Sequence, residues 1–237
     1  MAFPGRFLVV IKGGGDLASA VAHRLFRDGR AVVIVEEPEP RVVRRKMAFA
    51  QAVSDGEATV EGVRAVRTTP GATMERLLET REAIPLLVDP SGEVIRTLRL
   101  AVLVDGRMRK RERSDSSVAE APLVIGLGPG FLAGREAHVV IETARGPDLG
   151  KVITEGEALP YNGMPVDLGG FTKERYLYAP MAGVFRTPLD IGALVEAGQT
   201  VGEGGGGRPP GGDGRGHHPR HPQGWGPSDP RPEGRGH

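Results

Sequence analysis

Phe7–Ile11 is an unbroken apolar run, and Gly13, Gly14 and Gly15 follow almost at once. Beyond them Leu17, Val21, Leu25 and Phe26 recur at helical spacing, with Asp28 and Gly29 as the stop. A second apolar run, Ala31–Val35, ends in Glu36 and Glu37. Short continuous apolar runs suit strands covered on both faces, and strand, glycine turn, helix, strand is a βαβ unit. Such units build a parallel sheet with helices on both sides. The same alternation continues downstream. Arg41–Val53 reads as an amphipathic helix, Glu57–Arg67 as one strand or a small hairpin, Thr73–Glu82 as a helix and Pro85–Val88 as a strand. Glu93–Leu100 reads as a helix, Ala101–Val104 and Leu123–Ile125 as strands, and Val139–Glu142 with Lys151–Thr154 as a strand pair. The expected class is α/β: a Rossmann-like, doubly wound, mostly parallel sheet over residues 5–150.

In open parallel sheets, ligands bind outside the carboxyl ends of the strands. The first glycine turn lies there, and Gly13-x-Gly15-x-x-Ala18 fits a relaxed G-x-G-x-x-[GA] pattern. One glycine permits the tight turn, the next lets a pyrophosphate reach the backbone, and the small third residue lets helix and strand pack closely. The helix start then offers free N–H groups to an anion. Glu36 stands about 20 residues on, where an acid holds a ribose hydroxyl. Asp16, in the first helical turn, opposes a phosphate but suits the dipole of an empty helix end. Packing without any ligand is the competing reading of the same glycines. Asp89, Asp105 and the Gly126–Gly130 loop also fall at strand ends, with Gly126, Gly128 and Gly130 as further candidate phosphate contacts. Asp89 before Pro90 equally suits a turn. Arg107, Arg109, Lys110, Arg111 and Arg113 form a basic stretch, readable as a solvated loop or as counter-charge to a phosphorylated ligand, with Arg107 or Lys110 the nearest candidates. His23 and His138 read as a helix-surface and a strand-start residue without chemistry.

Composition narrows the classes. Charge is close to balanced, with 31 Lys and Arg against 30 Asp and Glu, so nothing in the overall field favours nucleic acid or an anionic membrane. The absence of cysteine excludes disulfides, thiolate nucleophiles and thiolate metal sites, and no metal site is expected. No apolar run approaches the length of a membrane span. A cytoplasmic protein is expected.

Residues 178–202 contain a stretch of a different kind. Ala179-Pro180-Met181-Ala182-Gly183 and then Asp190-Ile191-Gly192, ending at Gly198-Gln199, look like the first half of a biotinyl/lipoyl-type barrel sandwich. Such carriers present a lysine in their second half. That half is missing here, so no swinging arm is assigned. The expectation is a β-rich segment over 151–202 with a truncated half-barrel. From Glu203 the pattern stops, and after Val201 there is no Ala, Val, Ile, Leu, Met or Phe at all. A segment without aliphatic side chains buries too little area to offset chain entropy. Residues 203–237 are therefore expected to be a disordered low-complexity tail. Codons for residues 218–227, shifted by one nucleotide, can encode a string that continues the barrel pattern, which is the basis for expecting a frameshift near residue 204. The His217, His218 and His221 tract is read as a by-product of that composition.

The strings IKGGGDLAS (11–19), RRKMAFAQAV (44–53), LVDP (87–90), VLVDGRM (102–108), APLVIGLGPGF (121–131) and VIETARGPDLG (140–150), with the APMAG half-barrel, run in order along the chain. Together they resemble the YqeB family of accessory proteins of the selenium-dependent molybdenum hydroxylase system. The resemblance implies a factor that helps mature xanthine dehydrogenase- or purine hydroxylase-like enzymes, working with that hydroxylase and its other maturation factors. The cofactor in play would be a phosphorylated, molybdopterin-type pterin. It implies no defined catalytic activity, so the catalytic residues are unknown. The expected site comprises Gly13, Gly14, Gly15, Asp16, Glu36, Asp105, Arg107, Gly126, Gly128 and Gly130. Two alternatives stay open: an NAD(P)-dependent oxidoreductase using Gly13, Gly15 and Glu36, and a scaffold that docks the target hydroxylase through the half-barrel.

Overall fold

The run after Phe7 forms strand β1 (Leu8–Lys12), buried along its whole length. Helix α1 (Asp16–Arg27) and the equally buried β2 (Ala31–Glu36) complete the βαβ unit. The computed structural model describes residues 7–205, which divide into two units between Gly163 and Met164. In the first unit the chain continues through α2 (Ala52–Asp55), the antiparallel pair β3 (Glu57–Val60) and β4 (Val63–Thr68), α3 (Ala72–Thr80) and β5 (Ile84–Val88). It then forms α4 (Glu93–Thr97), β6 (Val102–Asp105), β7 (Leu123–Leu127), β8 (Val139–Ile141) and β9 (Val152–Ile153).

These nine strands make one sheet in the order β3-β4-β5-β2-β1-β6-β7-β8-β9. Every pairing from β4 to β8 is parallel, and only the outer strands β3 and β9 run antiparallel to their neighbours. The two faces bury different side chains of the same strands, as the period of two requires. Leu8, Val10, Val33, Val35 and Leu103 pack with Met74, Leu78 and Ile95 of α3 and α4. Val9, Ile11, Val32, Ile34 and Val104 pack with Ala18 and Ala22 of α1 and with Phe49. Each such fully buried aliphatic side chain contributes about 1.5–3 kcal/mol. No helix among the described residues is long and apolar enough to cross a membrane.

The sheet continues past residue 150 through β9, which pairs with β8, and the first unit extends to Gly163. Arg41–Val53 is not the continuous helix its periodicity suggests. Two 3-10 turns (Arg45–Met47 and Phe49–Gln51) precede α2, and Ala48 between them is extended. Here tertiary bonds displace the helical ladder: the Ala50 N–H donates to the Gly14 carbonyl at 2.8 Å and the Phe49 N–H to the Ser19 hydroxyl at 2.8 Å. Phe49 is thereby fixed in the core.

The second unit, described over 164–205, has little regular structure. A two-stranded antiparallel sheet joins β10 (Val184–Arg186) to β11 (Glu203–Gly205), and Leu168 bridges Phe171. Glu203–Gly205, expected to open the tail, form a strand because ladder hydrogen bonds need only backbone. The remaining tail, with its His tract and the expected frameshift, lies outside the described residues.

Candidate functional site

The strand order reverses between β1 and β6, since β2 follows β1 on one side and β7 follows β6 on the other. Register puts the strand-end residues in one row: Lys12 lies opposite Asp105, and Asp105 opposite Gly126. Glu36 ends β2, one position past Val35, the partner of Lys12. The carboxyl-end residues expected from the sequence thus share one rim at a topological switch point, the position at which open α/β sheets take ligands.

The first glycine turn is closely built. Gly13 has φ +92°, and a Cβ there would lie 3.1 Å from the Arg107 Cα, so only glycine fits the turn. The Gly13 N–H donates to the Val35 carbonyl and the Gly14 N–H to the Glu36 carboxylate at 2.6 Å. A Cβ on Gly14 would meet the Ala50 nitrogen at 2.9 Å. Gly15 differs: its nearest neighbour would be a Val42 methyl at 3.9 Å, so the turn is open at the start of α1. Ala18 is fully buried, and a Cβ on Gly106 would fall 2.8 Å from its methyl, so helix and sheet touch here. Asp16 is paired with Arg44 at 2.6 Å, which offsets its charge at the helix start.

In the second glycine loop, space is taken by the chain itself. A Cβ on Gly126 would overlap the Phe131 ring, one on Gly128 the Thr143 hydroxyl, and one on Gly130 the Glu112 carbonyl at 2.6 Å. Close packing accounts for glycine at all three positions.

Asp105 is the hub. Its buried carboxylate accepts from Arg107 Nε at 3.0 Å and Nη2 at 2.6 Å, and from the Ser114 and Ser116 hydroxyls at 2.7 and 2.9 Å. Burial pushes the Asp105 pKa up, but the Arg107 hydrogen bonds and charge, then the two hydroxyls, outweigh it and leave the pKa below the usual range. Burial likewise disfavours the Arg107 charge, and Asp105 with Asp115 more than compensates. Lys12, itself buried, donates to Ser116 Oγ at 2.9 Å and to Glu120 at 2.7 Å. Glu36 behaves oppositely to Asp105: burial dominates and raises its pKa despite the Glu37 and Gly14 amides. Among the described residues no group of three His, Cys, Asp or Glu is gathered as metal ligands would be.

Lys12, Ser114, Asp115 and Ser116 were not foreseen. Lys12 had a readable signal, as the one charge in an otherwise apolar strand directly before the glycines. The Ser114-Asp115-Ser116 string had none, because it reaches Asp105, Arg107 and Arg109 only where an irregular loop folds back on itself, and Lys12 only across the sheet. Other candidates fall outside the cluster. Asp89 accepts from Ser91 Oγ and from the Val94 N–H at the start of α4, which is turn chemistry. Lys110 lies over the Tyr161 ring at 4.7 Å. His138 Nδ1 accepts from the Val124 N–H.

With this geometry in view, comparison with known proteins narrows the kinship. The chain is 44% identical over 200 residues to "Uncharacterized protein YqeB" of Escherichia coli (strain K12). The match takes in 83% of this chain but only 36% of the relative, so the chain spans about a third of the YqeB protein it resembles. No family model and no solved structure matches the chain.

Proposed function

We propose that the protein is an accessory factor in the maturation of selenium-dependent molybdenum hydroxylases, binding and positioning a phosphorylated cofactor at the β1–β6 switch point. The observation that carries this is the convergence there of the open turn at Gly15 with Arg107, whose guanidinium is oriented by Asp105 on the adjacent strand. A phosphate fits these donors: backbone N–H groups at a helix start and a fixed guanidinium fork are its ordinary partners. The reading as a Rossmann-like domain is supported by strand order. Counted without the β3–β4 hairpin, the parallel strands follow the doubly wound 3-2-1-4-5-6 arrangement. The role would be binding and orientation. An NAD(P) oxidoreductase has less behind it, because the Glu36 carboxylate is buried and already accepts the Gly14 and Glu37 N–H groups, which limits the access of a ribose hydroxyl to it.

Docking of the hydroxylase draws on a separate observation. Leu177, Tyr178, Met181 and Leu194 stand exposed in the 164–205 unit, whose sequence resembles a half barrel sandwich. A test of the main reading is molybdenum hydroxylase activity in cells lacking this protein, complemented with wild type or Gly15→Asp. Wild type restores activity and Gly15→Asp does not, while the hydroxylase polypeptide accumulates equally. Full activity in the uncomplemented cells would overturn the reading.

A further inference from the structure

The loop after β6 returns to the switch point and sets one carboxylate, Asp115, on two arginines. Arg107 reaches it through Nη2 and, at 3.4 Å, Nη1, and Arg109 through Nη1 at 3.0 Å. Each arginine is held from behind by another acid. Asp105 takes the Nε edge of Arg107, and Glu37, just past β2, takes Nη2 of Arg109 at 3.1 Å. The two guanidiniums are therefore fixed with their remaining N–H groups aimed at one point.

Of the three acids bonded to the two arginines, one is left over. Lys12 has Glu120, Arg107 has Asp105, and Arg109 has Glu37. Asp115 is the surplus anion and shares cations that other acids already neutralise. It is also the exposed member, with 61% of its side chain accessible against 2% for Asp105. Its departure leaves every other pair intact and opens two guanidinium edges beside a shallow depression lined by Asp105, Arg109, Glu112, Ser114, Pro129 and Phe131. A phosphate monoester carries more negative charge than a carboxylate and three acceptor oxygens against its two, and is a better partner for paired guanidiniums.

We infer that Arg107 and Arg109 form a seat for one phosphate group, and that Asp115 fills this seat until a phosphorylated ligand displaces it. The inference rests on the phosphate-binding part of the function proposed above, and it adds a specific seat and an internal competitor.

The experiment titrates the full chain with inorganic phosphate, followed by phosphorus NMR, in wild type, Asp115→Asn, Arg109→Gln and Arg113→Gln. Removing the competitor tightens binding about three- to tenfold, the range expected when an exposed ion-paired side chain no longer competes. Arg109→Gln weakens it by a similar factor. Arg113→Gln, whose arginine pairs with Glu157 away from the seat, leaves it unchanged. Equal or weaker binding by Asp115→Asn, or no binding by that variant at millimolar phosphate, overturns the inference. The two proposals fail separately. Phosphate bound equally by wild type and Asp115→Asn removes the seat and leaves the accessory role standing. Tighter binding by Asp115→Asn, with hydroxylase activity intact in cells lacking the protein, does the reverse.

Discussion

Substituting alanine at Gly15 and at Gly126 separates a glycine kept for a ligand from one kept for packing. Neither position is among the glycines with positive φ, so backbone strain does not enter. At Gly126 the new methyl would lie 2.7 and 2.8 Å from two Phe131 ring carbons and nearer still to Cγ. Phe131 cannot swing away freely, since its ring is buried in the core with Val124 and Val140. Overpacking of this kind costs about 1–3 kcal/mol. Taking about 2 kcal/mol, the melting temperature falls by about 4–8 °C for a domain of this size. At Gly15 the methyl meets nothing closer than 3.9 Å. Two small effects oppose each other there: alanine is a poorer helix cap than glycine, and it lowers the entropy of the unfolded chain. The net change stays within about 0.5 kcal/mol. Thermal unfolding by circular dichroism measures both, and phosphate titration on the same samples gives the second axis. Gly15→Ala keeps its melting temperature and loses phosphate affinity, whereas Gly126→Ala loses stability and, below its transition, keeps affinity. Unchanged affinity in Gly15→Ala would refute approach of the ligand to the start of α1. An unshifted transition in Gly126→Ala would refute the packing account of the second loop.

Three further outcomes follow from the charge network. Asp105→Asn leaves the Arg107 guanidinium half-buried without its main counter-charge and lowers stability by about 3 kcal/mol, measured by urea unfolding, with the strand content retained. The Asp115 carboxyl, held down chiefly by its Arg107 hydrogen bond, titrates at about 2 by carbon NMR, and Arg109→Gln moves that midpoint upward. Because its folded pKa lies below the unfolded one, this ion pair stabilises above the ordinary aspartate range and is lost as pH falls through it toward about 2. Glu36 has the opposite sign: its raised pKa means the folded protein holds the proton longer, so its contribution declines as pH rises from the ordinary glutamate range upward. Glu36→Gln accordingly flattens the pH dependence of urea stability in that window, and an unaltered profile would count against a buried, up-shifted Glu36.

What the residue pattern determined by itself is local. The runs before Lys12 and before Glu36 specify buried parallel strands because their periodicity is carried within five or six residues, and the glycine turn between them follows from backbone freedom at Gly13. That Glu36 and Asp105 end strands, and that Gly126 lies near the close of another, was readable for the same reason. Tertiary structure decided which of these groups meet and what each one touches. Lys12 finds Ser116 across 104 positions, and Glu36 caps Gly14 across 22. Phe49 exchanges a helical hydrogen bond for one to Ser19, and the second glycine loop closes around Phe131, Thr143 and Glu112. Periodicity records the side on which a residue is buried, but a hydrogen-bond or ion-pair partner is chosen by distance in space, which only the assembled sheet supplies.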